Sequence, residues 1–118
     1  MKIAVSSTGP TLTDRVDPRF GRAAGFVIVD LDTDEIQYVD NGRAQMMGHG
    51  AGIQAAETIA RAGARVLLTG LVGPKAFQAL GAAGINVVQQ MEGLTVAEAV
   101  AQFKKLQAEK GLAPEGRP

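Results

Sequence analysis

The 118 residues suffice for one hydrophobic core and are too few for two. Twelve basic residues balance twelve acidic ones, which removes the overall field that draws a protein to nucleic acid or to an anionic membrane. Cysteine is absent, so disulfides, thiolate-held metals and thiol nucleophiles are excluded together.

Four Phe, one Tyr and no Trp leave the core to Val, Ile, Leu and Ala, side chains that favour close packing of helices on a sheet. Met1 to Val5 turns polar at Ser6, too early for a signal-peptide core or a membrane span, and a cytoplasmic location is expected.

In chain order, Ile3-Ala4-Val5 is an apolar run halted by Ser6, Ser7, Gly9 and Pro10, which predicts a first strand. Thr8 to Ala24 shows no period and carries three arginines; a loop of that length is expected to be functional or mobile. Phe26 to Val29 and Ile36 to Val39, joined by the acidic stretch Asp30 to Glu35, predict a hairpin. Gly42 to Gly50 reads as a loop. Ile53, Ala56, Ile59 and Ala60 form a stripe at helical spacing over Ala51 to Ala62, and Gly63 follows where a C-terminal cap belongs.

Arg65 to Thr69 predicts a buried strand, Pro74 to Ala83 a helix opened by proline, and Ile85 to Val88 a further strand. Thr95 to Lys110 completes the pattern as a helix with Val96, Ala99, Val100, Phe103 and Leu106 turned inward. Residues 1–110 are expected to form a single α/β domain and residues 111–118 a flexible tail. A hairpin followed by alternating strands and helices predicts a mixed sheet covered on both faces, a three-layer sandwich. Ligands of such sheets bind beyond the C-terminal strand ends, where the loops after Val5, Val39 and Leu68 should meet.

Three segments could carry chemistry. In Asp17-Pro18-Arg19-Phe20-Gly21-Arg22-Ala23, two guanidinium groups suited to anions flank an aromatic and a glycine; the bland alternative is a surface loop whose arginines pair with Asp14 and Asp17. His49-Gly50-Ala51-Gly52-Ile53-Gln54 is a glycine-rich helix start, where unpaired N–H groups and the positive end of the dipole favour an anion. Met46 and Met47 just upstream offer thioethers to a soft metal, although such methionines more often fill gaps. In Thr69-Gly70-Leu71-Val72-Gly73-Pro74-Lys75 the glycines are too close for a phosphate loop, and Ala76 replaces the required hydroxyl, which argues against an NTPase. Enzyme readings lack parts: the one candidate pairing for hydrolysis is Ser6 or Ser7 with His49, and strand one ends in serines where a two-metal nuclease would place a carboxylate.

These segments, followed by Ala82-Ala83-Gly84-Ile85 and Thr95-Val96-Ala97-Glu98-Ala99-Val100, resemble the dinitrogenase iron-molybdenum cofactor biosynthesis family in order and spacing, from Met1 to about Phe103. The chain also looks like the cysteine-free orange proteins. The resemblance implies a ribonuclease H-like fold: a five-stranded mixed sheet of order 3-2-1-4-5, strand 2 antiparallel, with helices on both faces. It implies a non-enzymatic carrier of an anionic molybdenum–copper sulfide cluster, or a related molybdenum or iron sulfide, held without thiolates. Carried onto this sequence, the expected cluster-binding residues are Arg19, Phe20, Gly21, Arg22, His49, Gly50, Ala51, Gly52 and Gly73, with Met46, Met47 and His49 as the groups that meet metal. The expected partners are the inorganic cluster and a recipient or complex-forming protein, with neither nucleic acid nor membrane. The alternative is an interaction module of a larger complex that binds no cluster, for which exposed methionines would be suited.

Overall fold

The computed structural model describes residues 1–110; the expected tail, residues 111–118, lies outside them. Five strands, β1 (Lys2–Ser7), β2 (Gly25–Asp30), β3 (Ile36–Asp40), β4 (Ala64–Leu68) and β5 (Asn86–Val88), form one sheet in the order β3-β2-β1-β4-β5. β2 runs antiparallel to both β1 and β3, while β4 is parallel to β1 and to β5. The order and the antiparallel second strand are those the family resemblance implied.

Side-chain alternation divides the core between the two faces. Ile3 and Val5 of β1, Val27 and Val29 of β2, and Val66 and Leu68 of β4 pack with Val96, Ala99, Val100 and Phe103 of α4 (Val96–Lys110). Their neighbours Ala4, Phe26, Ile28 and Leu67 pack on the opposite face with α2 (Ala51–Arg61) and α3 (Pro74–Ala82). A one-residue slip in any central strand would exchange the two sets, so the small core fixes the register.

Local signals explain most boundaries. Gly63 takes φ 88° and ends α2, and Pro74 stands in the first turn of α3. At the start of α4 the Glu98 N–H donates to Thr95 Oγ1 at 3.1 Å and the Thr95 N–H to Glu98 Oε1 at 2.8 Å, a reciprocal cap.

Two expectations are corrected, and of the two readings of the long loop the mobile one falls. Ile53 is not inward: it is 42% exposed, and α2 buries Ala51, Ala55, Ala56 and Ile59, because small side chains bring it close to α3. Gly42 to Gly50 is not all loop, since Gly42–Gln45 form a single helical turn, α1. The Thr8–Ala24 segment is tied down along its length: the Val16 N–H donates to Leu94 O, the Val96 N–H to Asp14 O, and the Leu71 N–H to Pro18 O, all at 2.8–2.9 Å. No helix among the described residues is long and apolar enough to cross a membrane.

Candidate anion-binding groove

The C-terminal ends of β1, β3 and β4 share one edge of the sheet, and the loops that follow them meet there as expected for an open α/β sheet. A groove of about 430 Å³ opens between them. Phe20, Gly21 and Arg22 form one wall, His49 and Gly50 with the first turn of α2 a second, and Gly73 with the first turn of α3 the third.

Small residues hold these walls together. Gly50 adopts φ 82°, a left-handed conformation that turns the chain into α2. A Cβ on Gly52 would lie 2.7 Å from Ala76 Cβ, and one on Gly21 would lie 2.9 Å from the Gly52 nitrogen. Loop, α2 and α3 thus touch through positions where even a methyl group does not fit.

The two helix starts point into the same space with their donors unclaimed. Neither helix has an acidic residue in its first turn or a side-chain cap. The Gln54 N–H donates to Gly50 O and the Phe77 N–H to Gly73 O, the first intrahelical bonds of α2 and α3. The N–H groups ahead of them, those of Ala51, Gly52 and Ile53 and of Lys75 and Ala76, are left for an external acceptor. Arg22, His49 and Lys75 line the groove and no carboxylate does. Among the described residues no group of three His, Asp or Glu side chains could hold a metal ion. This donor set fits an anion that brings its own ligands and does not fit a bare divalent cation.

The expected site residues divide. Phe20, Gly21, Arg22, His49, Gly50, Ala51, Gly52 and Gly73 line the groove. Arg19 does not: its side chain is exposed, with Nε 3.9 Å from a buried Asp17 carboxylate that also accepts the Arg19 backbone N–H at 3.1 Å. Arg15 turns away and donates to Gly93 O at 2.9 Å. Neither methionine is in the lining: Met46 is 87% exposed, and Met47 is half-buried with its Cε 3.4 Å from the place of a Cβ on Gly50. Ser6 and Ser7 are fully buried, with Ser6 Oγ donating to Asp17 O at 2.8 Å and lying 2.7 Å from Thr69 Oγ1; this commits them internally, while His49 is exposed at the groove.

Sequence reasoning missed Lys75 as a groove cation and Asn41 as a support. Lys75 is visible as the cation in the proline-led opening turn of α3, but the phosphate-loop test sets it aside. Asn41, 2% exposed, directly follows β3 and donates through Nδ2 to Gly21 O at 3.2 Å and Ala23 O at 3.0 Å, fastening the Phe20–Ala23 wall to the sheet. A buried Asn beside a turn glycine carries no local mark of that role.

Sheet order and groove together define a small α/β protein with an anion-receptive cleft at the parallel strand ends. Residues 1–106 match the family described as dinitrogenase iron-molybdenum cofactor, and the chain belongs to that family. It is similar to the apo form of the orange protein of Desulfovibrio gigas, with 62% identity and a TM-score of 0.88 over 90% of this chain and 88% of that one. A Thermotoga protein solved by NMR is 34% identical with a TM-score of 0.77, over 88% and 87% of the two chains. An uncharacterized protein of Methanocaldococcus jannaschii is 34% identical over 90 residues, which span 74% of this chain and 72% of that protein.

Proposed function

We propose that this chain is a non-enzymatic, thiolate-free carrier of an anionic molybdenum–copper sulfide cluster, bound in the groove between the starts of α2 and α3. One observation carries the reading: the groove presents two unclaimed helix N-termini, Arg22, His49 and Lys75, and no carboxylate. Membership of the family and the 62% identity to the orange protein support the same cargo.

The cluster is cargo and supplies its own sulfides, so the protein contributes charge, donors and shape. Backbone N–H groups of Ala51, Gly52 and Lys75 donate to sulfides, Lys75 neutralises charge from the wall, and Arg19 adds a screened contribution from outside the lining. Phe20, Gly21, Gly50 and Gly73 shape the floor. Met47 and His49 are the groups within reach of a soft metal, with Met46 at the outer rim. Residues 1–110 act as one cluster-binding domain, working in the cytoplasm and delivering to a recipient protein.

The test is uptake. Anaerobic protein mixed with tetrathiomolybdate and copper(I) should retain stoichiometric metal and an intense charge-transfer spectrum through gel filtration. A colourless protein that retains no metal would overturn the carrier reading. It would instead favour the interaction module, which the exposed Met46, Leu71 and Phe77 would serve.

A further inference from the structure

Arg22 stands in the groove wall, where its permanent charge invites a direct role in neutralising an anion. Its hydrogen bonds assign it another task. Nη1 donates to Gln45 O at 3.1 Å and to Met47 O at 2.7 Å, and Nη2 reaches Gly48 O at 3.4 Å. In return Gln45 Nε2 donates to Arg22 O at 3.1 Å.

The carbonyls that Arg22 gathers lie at and just beyond the C-terminal end of α1. A helix end exposes acceptors with no partner of their own, and the planar fork of a guanidinium can hold several such carbonyls spread along a chain from one side chain. A lysine has the charge but neither the planar spread nor a second nitrogen. The Met46–His49 stretch has few other ties: the Met46 N–H donates to Gly42 O and Arg43 O, the Met47 N–H to Ala44 O, all within the same turn. Arg22 and Gln45 are therefore the polar links between this stretch and the opposite wall, and the Met47 methyl rests beside Gly50 at the start of α2.

We infer that Arg22 is a positioning residue: it clamps the Met46–His49 loop across the groove through the carbonyls of Gln45, Met47 and Gly48, and so sets where Met47 and His49 meet a ligand. Its guanidinium donors are taken up by those carbonyls while its charge remains, so among the described residues that line the groove Lys75 is the cation whose donors stay free to face the cargo. The inference rests on the carrier reading for its effect on cargo, but the clamp itself is a property of the protein alone.

Three variants separate the roles, with Lys75→Ala as the charge control. In cluster-free protein, 13C relaxation of the Met46 and Met47 methyl groups and proteolysis at residues 45–50 report the loop. Arg22→Ala and Arg22→Lys should both loosen it while far-UV circular dichroism stays unchanged, and Lys75→Ala should leave it as it is. Adding guanidinium at low concentration to Arg22→Ala should restore the restraint, and ammonium at equal ionic strength should not. With tetrathiomolybdate and copper(I), both Arg22 variants should release the cluster about tenfold faster, and Arg22→Lys, which keeps the charge, should do so with little change in salt dependence, as expected for lost charge-assisted bonds. Lys75→Ala should instead flatten the salt dependence. A loop as restrained in Arg22→Ala as in the parent, or Arg22→Lys behaving as the parent in both assays, would overturn the inference. If the parent takes up no cluster the carrier reading falls, and the methyl relaxation still decides whether the clamp exists.

Discussion

Replacing Gly52 with alanine tests whether the closeness of the two helix starts is what the fold is built around. A Cβ there would sit 2.7 Å from Ala76 Cβ, against an ordinary contact of 3.4–4 Å, so the first turns of α2 and α3 must part by most of an ångström. Both lie over a close-packed seam in which Ala55, Ile59 and Leu80 are fully buried, and overpacking of this kind costs about 1–3 kcal/mol. Helix propensity pulls the other way, although the gain of about 0.5–1 kcal/mol for alanine over glycine in a helix interior is an upper bound for Gly52 in the first turn. The net expectation is a loss of about 0.5–2 kcal/mol in urea unfolding, together with weakened cluster retention. The Gly52→Ala/Ala76→Gly double variant should recover most of the clash, giving a favourable coupling of about 1 kcal/mol in the double-mutant cycle. A Gly52→Ala protein more stable than the parent, with additive effects in the cycle, would refute the claim that this contact sets the groove.

Asn41→Leu should destabilise by about 1–3 kcal/mol in urea, since it leaves the Gly21 and Ala23 carbonyls without their buried donor; a change within about 0.5 kcal/mol would show that the wall stands without it. Asp14 has its carboxyl held below its ordinary value of 3.8 by the Thr11 backbone N–H and then the Thr11 hydroxyl. Its ionised form is therefore favoured by folding, and the stabilisation is present above that ordinary value and lost as pH falls through the lower folded one. The stability gap between the parent and Asp14→Ala should accordingly narrow on acidification, and a gap constant from neutral to strongly acidic pH would count against the sign.

Elements governed by neighbouring residues were legible in the sequence. The acidic turn at Asp30–Glu35, proline at the start of α3 and Gly63 after α2 each act within a few residues, and each stands where its pattern puts it. The stripe of α2 misleads at Ile53 because bulk does not mark the inward face there; alanines form the seam with α3. α1 escaped notice because a single turn has no periodicity to detect. At the groove, the glycine-rich segments could be marked as walls, since glycine is itself the signal. What Arg22 does with its charge could not be read, because its acceptors are main-chain carbonyls 23 to 26 residues along the chain. The arginine motif likewise says nothing of which guanidinium enters the groove: Arg19 is drawn toward Asp17 outside the lining, and Arg22 lies within it.

Lys75 and His49 aside, the unclaimed donors of the groove belong to the main chain, and no side-chain replacement can delete a peptide N–H except one to proline. Chemistry at such a site is altered by moving the backbone more than by exchanging a ligand. Selection for a different cargo would then act on the spacing of two helices, through residues as small as Gly21, Gly52 and Ala76. A cleft of this kind can be retuned to anions of another size without the gain or loss of a single coordinating side chain.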